Sequence, residues 1–486
     1  MPGGAAVEVV RELSAEGVLE VFERVERALA LDERRIDGIP WWDLARHPFH
    51  RTALTALGLG DLEPPPRTTH LDGLARGFSV VMNLLRAVTT RSPRRARKRS
   101  VLIVGHPRRR KVDEHWVDLY VDPLLALLPA DRPVEVLEEP IDFEHRRPAA
   151  TRGLRYLDAL RARARWAERR DPGLNAAARD EVRKVAERFE AELGVQLDLE
   201  ALVALELRRW RARHPRYRAL LAALEPEVLL VVRAARQEPL VAAARELGIP
   251  VAELQHGSPA RGKLNYDYSS GIAKTTFPDL FASFGRFWTE AVVLPRGDAA
   301  TEVLGFPWLC AQRARHTHVE KRARLLVLSQ RDVASALVAF CVALRARLPI
   351  GIEVLYKPHP EDLRRGAGGL EALRSAGVVV VEDPNADLYA LQASARWQLG
   401  VYSTALYEGI AFGCATFVLR AAGAEQMTRL VDRGLARFVS EPSEVDLEFS
   451  PAAADLEDLF AEASPARAEA LLTRLHELRS ASSGIA

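Results

Sequence analysis

The sequence predicts an α/β protein with two doubly wound parallel sheets in tandem, preceded by a helical region. Short apolar runs recur along it with helical stretches between them, as in Val101-Leu102-Ile103-Val104 and Val228-Leu229-Leu230-Val231-Val232. Such runs suit strands buried on both faces, and their alternation with helices marks parallel β-α-β units. The alternation restarts after Gly305-Phe306-Pro307, which makes two sets. The chain of 486 residues, 48% hydrophobic and 28% charged, has room for two or three domains of roughly 100–200 residues each. That balance excludes disordered, collagenous and disulfide-scaffold proteins.

Residues 1–95 read as a helical region. EGVLEVFERVERALAL repeats apolar residues at helical spacing, and LDGLARGFSVVMNLLRAV does so after Pro64-Pro65-Pro66. A basic linker follows, Arg91-Ser92-Pro93-Arg94-Arg95-Ala96-Arg97-Lys98-Arg99. The first Rossmann-like domain, 96–305, begins with strand 101–104 closed by Gly105 and a strand at 134–137. An Arg- and Ala-rich helical insertion is expected at about 150–220. Strand 228–232, a helix closed by Gly248, and strands at 250–254 and 279–284 complete the set. The second domain, 306–450, has strands at 325–328, 352–356, 378–381, 397–401 and 415–419. Helices at 332–347, DLYALQAS and ALYEGIAFG separate them, and a C-terminal helix is expected in 451–486.

Lys and Arg number 68 against 66 Asp and Glu, so no global basic field points to nucleic acid. The three cysteines, Cys310, Cys341 and Cys414, are far apart and suit buried thiols in a reducing compartment. The N-terminus has neither a basic nor an apolar signal-peptide segment, and no run approaches ~18 apolar residues. A soluble cytoplasmic protein is expected. The Arg94–Arg99 cluster adds the expectation of peripheral contact with the inner face of a membrane, since clustered basic residues gain ~1 kcal/mol each near anionic lipid.

Three polar clusters follow strands, where doubly wound sheets bind ligands. Gln255-His256-Gly257-Ser258-Pro259 follows one strand of the first set. Lys357-Pro358-His359-Pro360 and Tyr402-Ser403-Thr404 follow strands of the second, the latter opening a helix that contains Glu408. A helix start offers unpaired N–H groups, and Ser403 and Thr404 add hydroxyls, which suits a phosphate as well as a simple N-cap. The two prolines fix the direction of His359, and Lys357 adds charge. Gly257 to Lys263 nearly spells a phosphate-binding P-loop, but Leu264 stands where a Ser or Thr hydroxyl is required. No hydrolase elbow, zincin or dinucleotide fingerprint is present.

These residues resemble the GT-B glycosyltransferases. His256-Gly257-Ser258-Pro259 resembles the H-G-[ST]-P segment of teichoic-acid glycerophosphotransferases. Lys357-Pro358-His359-Pro360 resembles the H-P motif of those enzymes, bacterial sialyltransferases and capsule Kdo transferases. Ser403 to Gly409 is similar to their S-[ST]-x-x-x-E segment. The resemblance spans roughly residues 250–420. It implies two Rossmann-like sheets facing a central cleft and a metal-independent transferase with neither a cofactor nor a metal site. The donor would be a nucleotide sugar, CMP- or CDP-linked, and the acceptor a glycan or lipid-linked molecule in surface polysaccharide biosynthesis. Lys357, His359, Pro360, Ser403, Thr404 and Glu408 would hold the donor, with Glu408 on its ribose.

The acceptor base is expected in the first half. His256 has the pKa class for it, and the acidic loop after the first strand offers His106, Asp113, Glu114, Asp118 and Asp122. Sialyltransferases carry an Asp/Glu-Asp/Glu-Gly base motif; here His115 follows Asp113-Glu114. Gln255, Gly257, Ser258 and Arg109 are the expected acceptor contacts. A UDP-sugar 2-epimerase and a non-catalytic nucleotide-sugar-binding subunit are the alternatives.

Overall fold

The computed structural model describes residues 13–59, 73–106, 109–112, 115–140, 144–145, 153–295, 300–330, 333–359, 363, 369–451 and 456–483. In chain order the first half contributes β1 (Val101–Val104), β2 (Arg110–Val112), β3 (His115–Val117), β4 (Val134–Glu138), β5 (Leu154–Tyr156), β6 (Val228–Val231), β7 (Val251–Leu254), β8 (Leu280–Ser283) and β9 (Thr301–Val303). The second contributes β10 (Arg322–Leu328), β11 (Glu353–Lys357), β12 (Val379–Val380), β13 (Ala395–Gly400), β14 (Ala415–Leu419) and β15 (Ala436–Val439). β2 and β3 form an antiparallel hairpin. The rest build two sheets of parallel neighbours, ordered β5-β4-β1-β6-β7-β8-β9 and β12-β11-β10-β13-β14-β15. In each, the chain steps outward from its first strand, then returns to that strand's other side. This is the two-sheet, doubly wound GT-B architecture.

The all-apolar strands follow from what covers them. Val101 and Ile103 of β1 face one side, against Leu471, Leu472 and Leu475 of the Pro465–Ser483 helix. Leu102 and Val104 face the other, against Leu221, Leu224 and Leu240. Side chains alternate along a strand, so a sheet covered on both faces needs apolar residues at every position.

The N-terminal helices Ala15–Leu29 and Trp41–Ala56 share one core with Ala176–Leu193 and Leu199–Leu224. Phe22, Trp41, Trp42, Phe49 and Phe189 meet there, each burial contributing roughly 1.5–3 kcal/mol. The helical start and the helical insertion, far apart in sequence, are therefore one layer. Within it Arg46 pairs with buried Glu26 and donates to the Leu264 and Asp267 carbonyls at 2.7 and 2.8 Å. That tie anchors the loop that follows His256. The stretch expected as the insertion opens with strand β5, which pairs with β4.

The last helix lies on the first sheet, so the chain crosses between halves twice. The return crossing packs on the end of the first sheet: Ala461 N–H donates to the Phe284 carbonyl, and Trp288 Nε1–H to that of Leu459. A Cβ on Gly285 would stand 2.1 Å from the Asp458 oxygen, and one on Gly305, whose φ is +85°, 2.4 Å from that of Ala461. Only glycine permits so close a backbone approach.

Candidate functional site

The rim of the second sheet is organised around the end of β10. Ser329 N–H donates to the Lys357 carbonyl at 3.0 Å, and its hydroxyl accepts from Tyr356 at 2.8 Å. Gln330 Oε1 accepts the Tyr402 N–H at 3.0 Å. These two residues stitch the loops after β11 and β13, which flank β10 on either side and so lie about 10 Å apart at two strand spacings. Half-buried His359 sits in the first loop and Ser403 in the second. The Ser403 hydroxyl caps the Thr404–Ala411 helix, accepting from Ala405 N–H at 3.3 Å. Thr404 is exposed at the same helix mouth. Lys357 Nζ is buried without a hydrogen-bond partner, and burial pulls its pKa down, with Asp383 opposing and Arg110 reinforcing.

Glu408 lies one turn along that helix. Burial pushes its carboxyl up to about 7, against the opposing pull of a hydrogen bond with Tyr389 and the charge of Arg110. Arg110 comes from the β2–β3 hairpin of the first half and stands 5.4 Å over the Tyr389 ring. Tyr120, just past the hairpin, stacks on Phe306 with ring centres 5.9 Å apart. The loop after β1 thus brings the two rims to a common cleft.

The rim of the first sheet is built differently. Asp118, fully buried, accepts the backbone N–H groups of His106, Tyr120 and Val121 and lies 3.1 Å from Arg109 Nη1. Arg109 also pairs with Glu138 at 3.0 Å; Glu138 meets His145, and His145 meets Asp158, both at 2.7 Å. Burial works against the His145 cation, but its hydrogen bonds to Asp158 and Glu138 prevail and raise its pKa.

Over this base stand two histidines, His106 and His256, with ring centres 5.6 Å apart. The Tyr120 hydroxyl donates to the His256 carbonyl at 2.8 Å. The Tyr266 hydroxyl donates to buried Glu253 at 2.6 Å, and its oxygen lies 3.2 Å from His256 Nδ1. Burial and the Glu253 charge hold the Tyr266 phenol well above its usual pKa, so it stays protonated. With its own proton committed to Glu253, the Tyr266 oxygen accepts from Nδ1–H. The lone pair then sits on Nε2. A carboxylate, relayed through a phenol, orients the imidazole as a proton acceptor.

Several sequence expectations need correction. Arg109 and Gln255 are not acceptor contacts. The Arg109 guanidinium is enclosed between Asp118 and Glu138, while Gln255 is 1% exposed and spans the Phe284 N–H and the Gly257 carbonyl. Asp118 and Asp122 do not face the cleft as bases: Asp122 accepts the Asp118 N–H at 2.7 Å. The Gly257 carbonyl is taken by Gln255, and the Ser258 hydroxyl accepts from Lys263 Nζ at 2.8 Å. Burial pushes the Lys263 pKa down to about 8. Asp113, Glu114 and Pro360 lie outside the described residues. Sequence reasoning missed Glu253, Tyr266, Ser329 and Gln330. Glu253 had a signal, a lone carboxylate inside a strand otherwise buried on both faces.

No family model matches the chain, and no curated protein does. Among solved structures it is similar to UDP-GlcNAc 2-epimerase from Neisseria meningitidis bound to UDP-GlcNAc, at 11% identity over 78% of this chain and 99% of that one, with a TM-score of 0.45. The Methanocaldococcus jannaschii UDP-GlcNAc 2-epimerase with UDP-GlcNAc and UDP gives 12% identity, 78% and 99% coverage, and a TM-score of 0.42. The spinosyn rhamnosyltransferase SpnG complexed with thymidine diphosphate gives 18%, 79% and 96%, and 0.38.

Proposed function

We propose that the protein is a glycosyltransferase that moves a sugar from a CMP- or CDP-linked donor to a glycan or lipid-linked acceptor in surface polysaccharide assembly. One observation carries this reading: an imidazole oriented by Tyr266 and Glu253 stands beyond the first sheet, while a buried lysine without a hydrogen-bond partner and an exposed threonine at a helix mouth stand beyond the second. The acceptor hydroxyl attacks the anomeric carbon while His256 Nε2 takes its proton. The bond from that carbon to the nucleotide phosphate breaks, and the phosphate leaves as an anion. Lys357, His359, the Thr404 hydroxyl and the helix mouth at Ser403 stabilise that charge as it develops.

His256→Ala is expected to lower turnover by ~10²–10⁴-fold with nucleotide affinity kept, whereas His359→Ala lowers nucleotide affinity itself. Melting-temperature shifts with CMP, CDP, UDP, GDP and TDP read the affinity. Full turnover by both variants with the true donor overturns the assignment. Release of UDP from UDP-GlcNAc without any acceptor replaces it by the epimerase, and tight binding with no turnover by the non-catalytic subunit.

A membrane partner is part of the same reading. No helix among the described residues is long and apolar enough to cross a bilayer. The Gly73–Val88 helix, however, turns Phe78, Val81, Leu85 and Val88 to solvent, 69, 62, 51 and 54% exposed, on one face. Residues 73–99 contain eight Arg or Lys and no Asp or Glu. An apolar stripe beside a segment rich in cations, of which Lys98 is paired with Glu225, suits an anionic lipid surface. Vesicles containing phosphatidylglycerol should sediment the protein and phosphatidylcholine vesicles should not. Phe78→Ser with Leu85→Ser should abolish sedimentation, and equal behaviour on both lipids removes the membrane from the account.

A further inference from the structure

We infer that the first half contains a binding pocket for an oxyanion carried by the acceptor, at the turning point of its own sheet. The word acceptor rests on the transferase reading; the pocket does not. In the order β5-β4-β1-β6, connections leave β1 and β6 in opposite directions, which opens a crevice beyond their carboxyl ends. A cavity of about 260 Å³ fills that crevice, floored by Val104 at the end of β1, Gly105 after it and the segment after β6. The helices Trp41–Ala56, Asp158–Glu168 and Leu199–Leu224 wall it in. Its size suits a phosphate or an acidic sugar ring rather than a whole nucleotide sugar.

Five arginines line it, Arg161, Arg209, Arg213, Arg233 and Arg236, against three glutamates. The glutamates are occupied: Glu139 by Arg161, Glu206 by Arg209, and Glu238 by Lys274. Arg213 is taken by Glu168, while Arg236 has no side-chain hydrogen bond or ion pair among the described residues, so its positive charge is left over. Its backbone is left-handed, φ 78°, a conformation strained for any residue with a Cβ. A turn that wanted only the backbone shape would take glycine; an arginine here puts a planar, permanently charged donor fork at the pocket. Gly105 joins the pocket to His106, whose ring faces His256. An anion held here sets the rest of its molecule beside the base. This pocket takes over the acceptor contact expected of Arg109.

Arg236→Gly separates binding from structure, because glycine relieves the backbone while removing the charge. Melting temperature is followed against inorganic pyrophosphate and against glucuronate, in the wild type, Arg236→Gly and Lys357→Met. The ligand-free Arg236→Gly variant should melt higher than the wild type and bind the anion at least fivefold more weakly, while Lys357→Met keeps that component. A larger response to pyrophosphate assigns a phosphate-bearing acceptor, and a larger response to glucuronate an acidic sugar. If Arg236→Gly responds like the wild type, or Lys357→Met alone loses the whole response, the pocket is overturned and the donor site stands. If nucleotides shift no variant but Arg236→Gly still loses the anion response, the donor reading falls and the pocket stands.

Discussion

Beyond the first sheet the buried charges answer one another: Asp118 holds three backbone N–H groups and lies 3.1 Å from Arg109, and Arg109, Glu138, His145 and Asp158 form a chain of contacts between 2.7 and 3.0 Å. Beyond the second sheet, Lys357 Nζ is buried with nothing to bond to, and Thr404 stands open at a helix mouth. The strand order is the same but for one extra edge strand in the first sheet; the state of completion is not. A group that must accept a proton in a fixed direction needs its surroundings finished before the substrate arrives. Groups that grip a charged ligand are finished by the ligand itself, at a cost in stability while they wait.

The difference is open to two attacks. The larger falls on the completed rim. Arg109→Leu strands two buried carboxylates and is expected to cost about 3–5 kcal/mol, read by chemical denaturation. A loss under about 1 kcal/mol would show that the first rim is not held by this chain of charges. The smaller falls on the waiting rim. The Glu408 carboxyl, raised from 4.5 to about 7, keeps a proton in the folded state that the unfolded chain has already lost. Its ionisation therefore removes stability as pH climbs from 4.5 to 7, and no more above that. Glu408→Gln should gain on the wild type between pH 5 and pH 8 by on the order of 1–3 kcal/mol, seen as a widening melting-temperature gap. A gap independent of pH would mean that the carboxyl is already solvated and charged.

Much of this was legible from residue order. The strands at the centre of each sheet are buried on both faces, so their apolar runs announce them, and the polar clusters after β7, β11 and β13 follow. Of the edge strands only β12 was legible: β9 is half-buried throughout, and β15 sets exposed Arg437 and half-buried Phe438 between buried Ala436 and Val439. The β2–β3 hairpin, Arg-Lys-Val against His-Trp-Val, has too little apolar character to register as strand. At the site, one arginine in the run Arg108-Arg109-Arg110-Lys111 turns inward while Arg110 reaches the opposite half, and nothing local distinguishes them. The Tyr266 and Glu253 partnership with His256 depends on how a thirteen-residue loop folds back. The union of the N-terminal helices with the insertion depends on Trp41 Nε1–H donating to Glu181 and on Phe22, Trp42 and Phe49 meeting Phe189, contacts across about 150 residues.

The outbound crossing at Gly305 and the return crossing at Asp458–Ala461, packed against Gly305 and Gly285, leave the halves a single seam about which to turn. Any opening or closing of the cleft must swing about that line, like a book on its spine, rather than slide or twist freely. Because the tail that completes the first sheet passes through the same seam, the second half is a parenthesis within the first. A protease cutting only one crossing would leave the two still linked by the other.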